Sequence, residues 1–224
     1  MTKTATGKAA AISSPKALAY VDAHRDAFLD DLKAFVRIPS VSTMPEHRAD
    51  VKRAAEWVAA QLREMGMEHV RLIYPIKDGH PLVSADWLHA ESRPTVLLYG
   101  HYDVQPAEPL EEWSQPDPFE PVIRNENLYA RGAVDDKGQA LALLKALESL
   151  LRTDGALPVN VRVLIEGEEE FGGASIEKYV REHPDEIPCD VVLVADTEMP
   201  APGVPAITYG LRGILYTEIV AKGA

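Results

Sequence analysis

The run Thr95-Val-Leu-Leu-Tyr99 is apolar on both faces, which places it as a strand inside a sheet and not at a surface that meets water. Further strand-like runs lie at residues 69–74, 82–88, 159–165 and 191–195, with a short strand around Val122 that runs through Asn125 to Tyr129. Segments of helical period separate them. Residues 16–37 space Leu18, Val21, Phe28, Leu32, Phe35 and Val36 near one helical face, and Pro39 ends the pattern. Residues 46–65 align Val51, Ala54, Ala55, Val58, Leu62 and Met65, with Gly66 where a helix favours glycine. Residues 138–151 repeat the pattern with Ala140, Leu143, Leu144, Leu147 and Leu151, and 175–181 form a shorter helix. This alternation predicts an α/β fold: a mixed, largely parallel sheet with helices on both faces.

A chain of 224 residues can build one large core, and 46% hydrophobic with 26% charged residues is the composition of an ordinary globular protein. The 35 acidic against 23 basic residues give a net charge of −12, which argues against nucleic acid as a partner. The single Cys189 excludes an intrachain disulfide and, at the entrance of an apolar run, is expected to be a buried structural thiol. Residues 1–15 contain no continuous apolar segment and are expected to be flexible. No stretch approaches the roughly 18 apolar residues of a membrane span, so the expected location is the cytoplasm with no membrane partner.

In such sheets ligands gather beyond the carboxyl ends of the strands. His101 and Asp103 follow the strand at 95–99, Glu168, Glu169 and Glu170 follow that at 159–165, and Asp196 follows that at 191–195. Asp135 and Asp136 precede the helix at 138–151. Imidazole and carboxylate donors converging from several elements suit a borderline divalent cation. So many carboxylates in one cleft repel one another unless cations or protons intervene, and two ions bridged by a carboxylate would relieve this. Each feature alone is commonplace: an acidic run is usually a solvated face, and an Asp after a strand is often only a helix cap. Their coincidence at one sheet edge gives them weight. His24, His47, His69, His80, His89 and His183 are read as surface or structural residues. No Gly-x-Ser-x-Gly elbow, P-loop or dinucleotide fingerprint is present.

The blocks GHYDVQP (100–106), YARGAVDDKG (129–138), EGEEEFGG (166–173) and ITYGLRG (207–213) resemble, in order and spacing, the signatures of M20 metallopeptidases. The last block resembles their carnosinase-like, non-specific dipeptidase branch. The resemblance covers nearly everything from about residue 17 and implies a zinc-exopeptidase-like catalytic domain over 16–210, with 211–224 opening a lid and dimerisation domain whose first strand would be 213–220. It implies two divalent ions, zinc with manganese or cobalt as alternatives. His101 and Asp196 would hold one ion, Glu170 the other, and Asp135 would bridge both. Glu169 would be the general base for hydrolysis of a small peptide or N-acyl amino acid, with Asp103 fixing the tautomer of His101. It also implies a cis peptide bond between Asp135 and Asp136.

Glu168 is left without a family role and is read as solvated or as supporting its turn. The family's remaining ligand, a histidine, and its lid would lie beyond residue 224, so the chain reads as an N-terminal portion with a weak second ion and poor turnover. The complete form is expected to be a homodimer through the lid. Two other readings stand beside the dipeptidase: an N-acyl amino acid deacylase of the acetylornithine or succinyl-diaminopimelate type, and a metal-binding fragment without catalysis.

Overall fold

The computed structural model describes residues 14–223. The flexible start expected over 1–15 therefore lies, up to residue 13, outside the described residues. The elements in chain order are α1 (Pro15–Ala23), α2 (Arg25–Val36), α3 (Arg48–Met65), β1 (Glu68–Ile73), β2 (Leu82–Trp87), β3 (Thr95–His101), β4 (Val122–Arg124), β5 (Asn127–Tyr129), α4 (Lys137–Asp154), β6 (Asn160–Glu166), α5 (Ala174–Glu182) and β7 (Val191–Val194). Strands β1, β2, β6, β3 and β7, in that spatial order, form the main sheet, and β4 and β5 make a separate hairpin. β1 with β2 and β2 with β6 are antiparallel, whereas β3 runs parallel to both β6 and β7. The mixed sheet is as expected, and β3 is an interior strand. Because β6, β3 and β7 are parallel, their carboxyl ends share one edge.

The helices cover the sheet unequally. On one face α3 buries Val51, Ala54, Ala55, Val58, Ala59, Leu62 and Met65 in the same cluster as Val83, Ala85, Val161, Val163, Ile165, Leu144 and Leu147. That is the one-face spacing of an amphipathic helix, ended by Gly66 at φ 99°, a left-handed conformation that costs glycine little. On the other face Leu82, Leu97 and Leu164 pack with Tyr179 of α5. No helix among the described residues is long and apolar enough to cross a membrane.

Three sequence expectations change. The single helix expected over 16–37 breaks at His24, whose Nδ1 lies 2.8 Å from the carbonyl of Tyr20 and whose ring stacks on Tyr20. That side chain competes for a helical acceptor. Cys189 is exposed, not buried. It leads into β7, an outer strand paired, among the described residues, only with β3, and the four residues of β7 are 44–55% exposed. The strand expected at 213–220 does not form, and residues 205–223 carry no helix or strand. A lone strand has no ladder to join.

One buried cation ties the helical layer together. Lys137, in the first turn of α4, is 0% exposed and donates to the carbonyls of Phe35 at 3.1 Å and Ile38 at 2.6 Å. These lie at the carboxyl end of α2, where carbonyls lack helical partners. The ammonium also sits over the Phe35 ring, which stacks on Trp57. Burial pulls its pKa down to about 7, against the opposing pull of Asp103 and Asp50. Lys137→Met keeps the stem and strips both carbonyls of their donor, so unfolding should become easier by about 2–4 kcal/mol. A urea midpoint equal to that of the unsubstituted chain would show that water replaces the ammonium.

Candidate metal centre

The dry run of β3 ends on His101, which is aligned with Glu166 at the end of β6. The backbone then turns at Tyr102, whose N–H donates to the Glu166 carbonyl at 2.9 Å and whose buried hydroxyl donates to the Pro81 carbonyl. His101 is 0% exposed, and its backbone N–H donates to Asp136 Oδ2 at 3.1 Å. Its Nδ1 faces two oxygens of Asp103, the carbonyl at 3.1 Å and Oδ1 at 3.4 Å. Both are acceptors, so Nδ1 carries a proton and Nε2 is the nitrogen turned outward. Asp103 is held in turn by the Ser42 hydroxyl at 2.6 Å and the Glu170 N–H at 3.2 Å, both on Oδ2.

Nε2 of His101 lies 3.1 Å from Asp135 Oδ1 and 3.7 Å from Asp196 Oδ2. Donor atoms of these three residues lie within 4.8 Å of one another. With a neutral ring, lone pairs would face lone pairs, so the spot demands either a second proton on His101 or a cation. Burial works against a charged ring and is outweighed by Asp103, Asp136 and Glu169, raising the His101 pKa to about 10. A divalent ion bound by one imidazole and two carboxylates satisfies the same demand, and the donor set fits a borderline metal. Asp135 and Asp136 are joined by a cis peptide bond, as the resemblance implied.

The three consecutive glutamates occupy different environments. Glu168 is 3% exposed and accepts the N–H groups of His80 at 2.6 Å and Ser175 at 2.8 Å, so it supports the turn and is not solvated. Glu170 points an oxygen at Gln105 Nε2, 2.8 Å away, and stands outside the three-residue donor group. Burial raises the Glu169 pKa, with Asp196, Asp103 and Asp135 adding to the rise and His101 opposing it. The structure therefore brings His101, Asp135 and Asp196 together, with Asp103 behind His101 and Glu169 within electrostatic reach.

Sequence reasoning missed Ser42, the acceptor role of Asp136, and Glu166. Ser42 carries no motif. Glu166 had a signal, an acid closing a buried apolar strand, hidden by the acidic run after it. Glu166 is 2% exposed, its Oε1 accepts the Tyr99 hydroxyl at 2.7 Å, and its Oε2 has no hydrogen-bond partner among the described residues. Burial and nearby negative charge raise its pKa to about 7, and those of Asp136 to about 7 as well.

Residues 97–212 match the peptidase family M20/M25/M40. The chain belongs to that family. It is 33% identical over 222 residues to the Cys-Gly metallodipeptidase dug1 of Schizosaccharomyces pombe, covering 95% of this chain and 46% of that protein. It is 32% identical to the human Beta-Ala-His dipeptidase, covering 92% of this chain and 43% of that one. The crystal structure of human carnosine dipeptidase 1 superposes with a TM-score of 0.75 at 32% identity, over 81% of this chain and 41% of that one. The chain thus spans a little under half the length of the curated relatives it matches.

Glu166 gives this M20 chain a testable pH signature. A carboxyl whose folded pKa stands above its unfolded value of about 4.3 contributes stability below the lower value and loses it as pH rises through the upper. Glu166→Gln removes that loss. The stability difference between variant and unsubstituted chain should move in the variant's favour from about pH 5 to pH 8. Denaturation curves with a constant difference across that range would contradict the assignment.

Proposed function

We propose that this chain carries the catalytic centre of a metal-dependent dipeptidase, acting on dipeptides or similar small peptide-like amides through two divalent ions, zinc in the first instance. The observation that supports it most is the convergence of His101, Asp135 and Asp196 at the carboxyl edge of parallel strands, beside a glutamate of raised pKa. Relatives named for Cys-Gly and Beta-Ala-His hydrolysis support the substrate class.

In this reading His101, Asp135 and Asp196 would hold the first ion, and Asp135 and Glu170 would serve the second. The ions supply Lewis acidity toward water and toward an amide carbonyl. Glu169 accepts a proton from the attacking water and passes it to the leaving amine nitrogen, so the amide C–N bond breaks with the proton returned to product. Its raised pKa suits both halves of that transfer. Asp103 keeps the proton of His101 on Nδ1, with Ser42 and the Glu170 N–H holding the carboxylate still. Asp136 accepts the His101 backbone N–H and so fixes the end of β3 against the start of α4.

Zinc uptake by the purified chain, followed by calorimetry and elemental analysis, tests the ligand set. His101→Ala should lose the tighter equivalent while keeping the far-ultraviolet circular dichroism spectrum. Uptake unaffected by that change would place the metal elsewhere. The base is tested on the protein as the cell makes it, with Cys-Gly and Beta-Ala-His as substrates. Glu169→Gln should keep the metal and lower kcat about 10²–10⁴-fold. A kcat within a few-fold of the unsubstituted enzyme would remove Glu169 from the mechanism.

A further inference from the structure

On the outermost hairpin of the main sheet, away from the M20 centre, stands a second set of metal-type donors. Asp86 of β2 is aligned with Arg162 of β6, four residues before Glu166, which puts it about 13 Å down the strand from the edge that carries His101. Across from Asp86, β1 is irregular: Glu68 is aligned with Asp86 and Arg71 with Ser84, so one extra residue is accommodated between them. His69 takes φ 50° there. Such a bulge re-aims side chains. Register brings Glu68 opposite Asp86, and counting back by two from Arg71 brings His69 to the same face. Two neighbouring side chains thus reach one carboxylate.

The distances bear this out. His69 Nδ1 lies 2.7 Å from Asp86 Oδ1, and donor atoms of Glu68, His69 and Asp86 lie within 4.8 Å of one another. His89 adds an imidazole, its Nε2 3.0 Å from Glu68 Oε2. On the far side Arg162 stands 3.6 Å from Asp86 Oδ2 and leaves Oδ1 turned toward His69. Asp86 is anchored, with a side chain 15% exposed, while that of His69 is 73% exposed and reachable from solvent.

We propose that Glu68, His69 and Asp86 form an ancillary site for a borderline divalent cation such as Zn²⁺, separate from the catalytic centre, that clamps the edge strand β1 to β2. One imidazole and two carboxylates, with His89 behind Glu68, supply ligand types that such an ion accepts, and with His69 neutral the charges of Glu68 and Asp86 are offset only in part, by Arg162. The ion takes the place that a ring proton holds in the His69–Asp86 pair. An edge strand is the element that gains most from a clamp, because one of its sides has no ladder.

The test uses Zn²⁺ alone. Calorimetric titration of the folded chain should show one zinc equivalent that disappears in both His69→Ala and Asp86→Asn, while the equivalent lost in His101→Ala remains in each. His89→Ala should weaken the same equivalent about ten-fold. Amide hydrogen exchange over residues 68–73 should slow on adding zinc to the unsubstituted chain and not to His69→Ala. Because His69 is exposed, its variant should fold, which circular dichroism checks. Equal zinc stoichiometry in the chain and both variants, with exchange in β1 indifferent to zinc, would overturn the site and leave a plain His–Asp ion pair. Failure of the catalytic reading alters only the equivalent that depends on His101.

Discussion

Negative charge that has to be held in little water governs the carboxyl edge of the parallel strands. Two unit charges at 4 Å interact by about 4 kcal/mol at the effective dielectric of a protein surface, several times the net worth of one hydrogen bond. Asp103, Asp135, Asp136, Glu166, Glu169 and Asp196 all act on His101 or on one another over such ranges. The result is a consistent pattern in two opposite kinds of group. The imidazole of His101 gains affinity for a proton, and so do the carboxyls of Asp136 and Glu166. Both shifts state one fact, that this edge wants positive charge, which a divalent cation would supply in the proposed reading.

The scaffold makes that concentration of charge tolerable by keeping it at strand ends. β3 is flanked on both sides by parallel strands, so its backbone is paired along its length and its terminal histidine is presented at a fixed height beside Glu166. Below that level the sheet is apolar: Leu98, Val163 and Val161 are buried against α3 and α4. The Asp135–Asp136 turn is fixed from beneath by Lys137, whose ammonium is locked to the end of α2. The helical layer and the charged edge are therefore coupled through consecutive residues of one turn.

Much of this was legible in the sequence because the signals were periodic. The α3 stripe from Val51 to Met65 and the run at 95–99 each obey a single spacing, and both elements formed as read. What escaped was decided by contacts distant in sequence. His24 breaks a helix by bonding to Tyr20, a local competition that periodicity does not register. Cys189 looked buried because an apolar run followed it, but a strand is buried only where layers cover both its faces, and β7 is an outer strand. Among the site residues, the positions of His101 and Asp196 at strand ends followed from topology alone. Ser42 and the orientation of Glu170 toward Gln105 required the fold.

The acidic run 168–170 shows how three identical side chains acquire separate tasks. Both oxygens of Glu168 receive backbone N–H groups, from His80 and Ser175, which holds the buried carboxylate still within the turn. Glu170 shares an oxygen with Gln105 while its own N–H braces Asp103. Glu169 lies in the short turn between them, and its carboxylate accepts no hydrogen bond from the described residues. A general base has to be held by its backbone and left free at its oxygens, and it works best with a pKa lifted toward neutrality. The raised pKa of Glu169 supports the base role proposed for it, while its two neighbours absorb the structural roles that the turn requires.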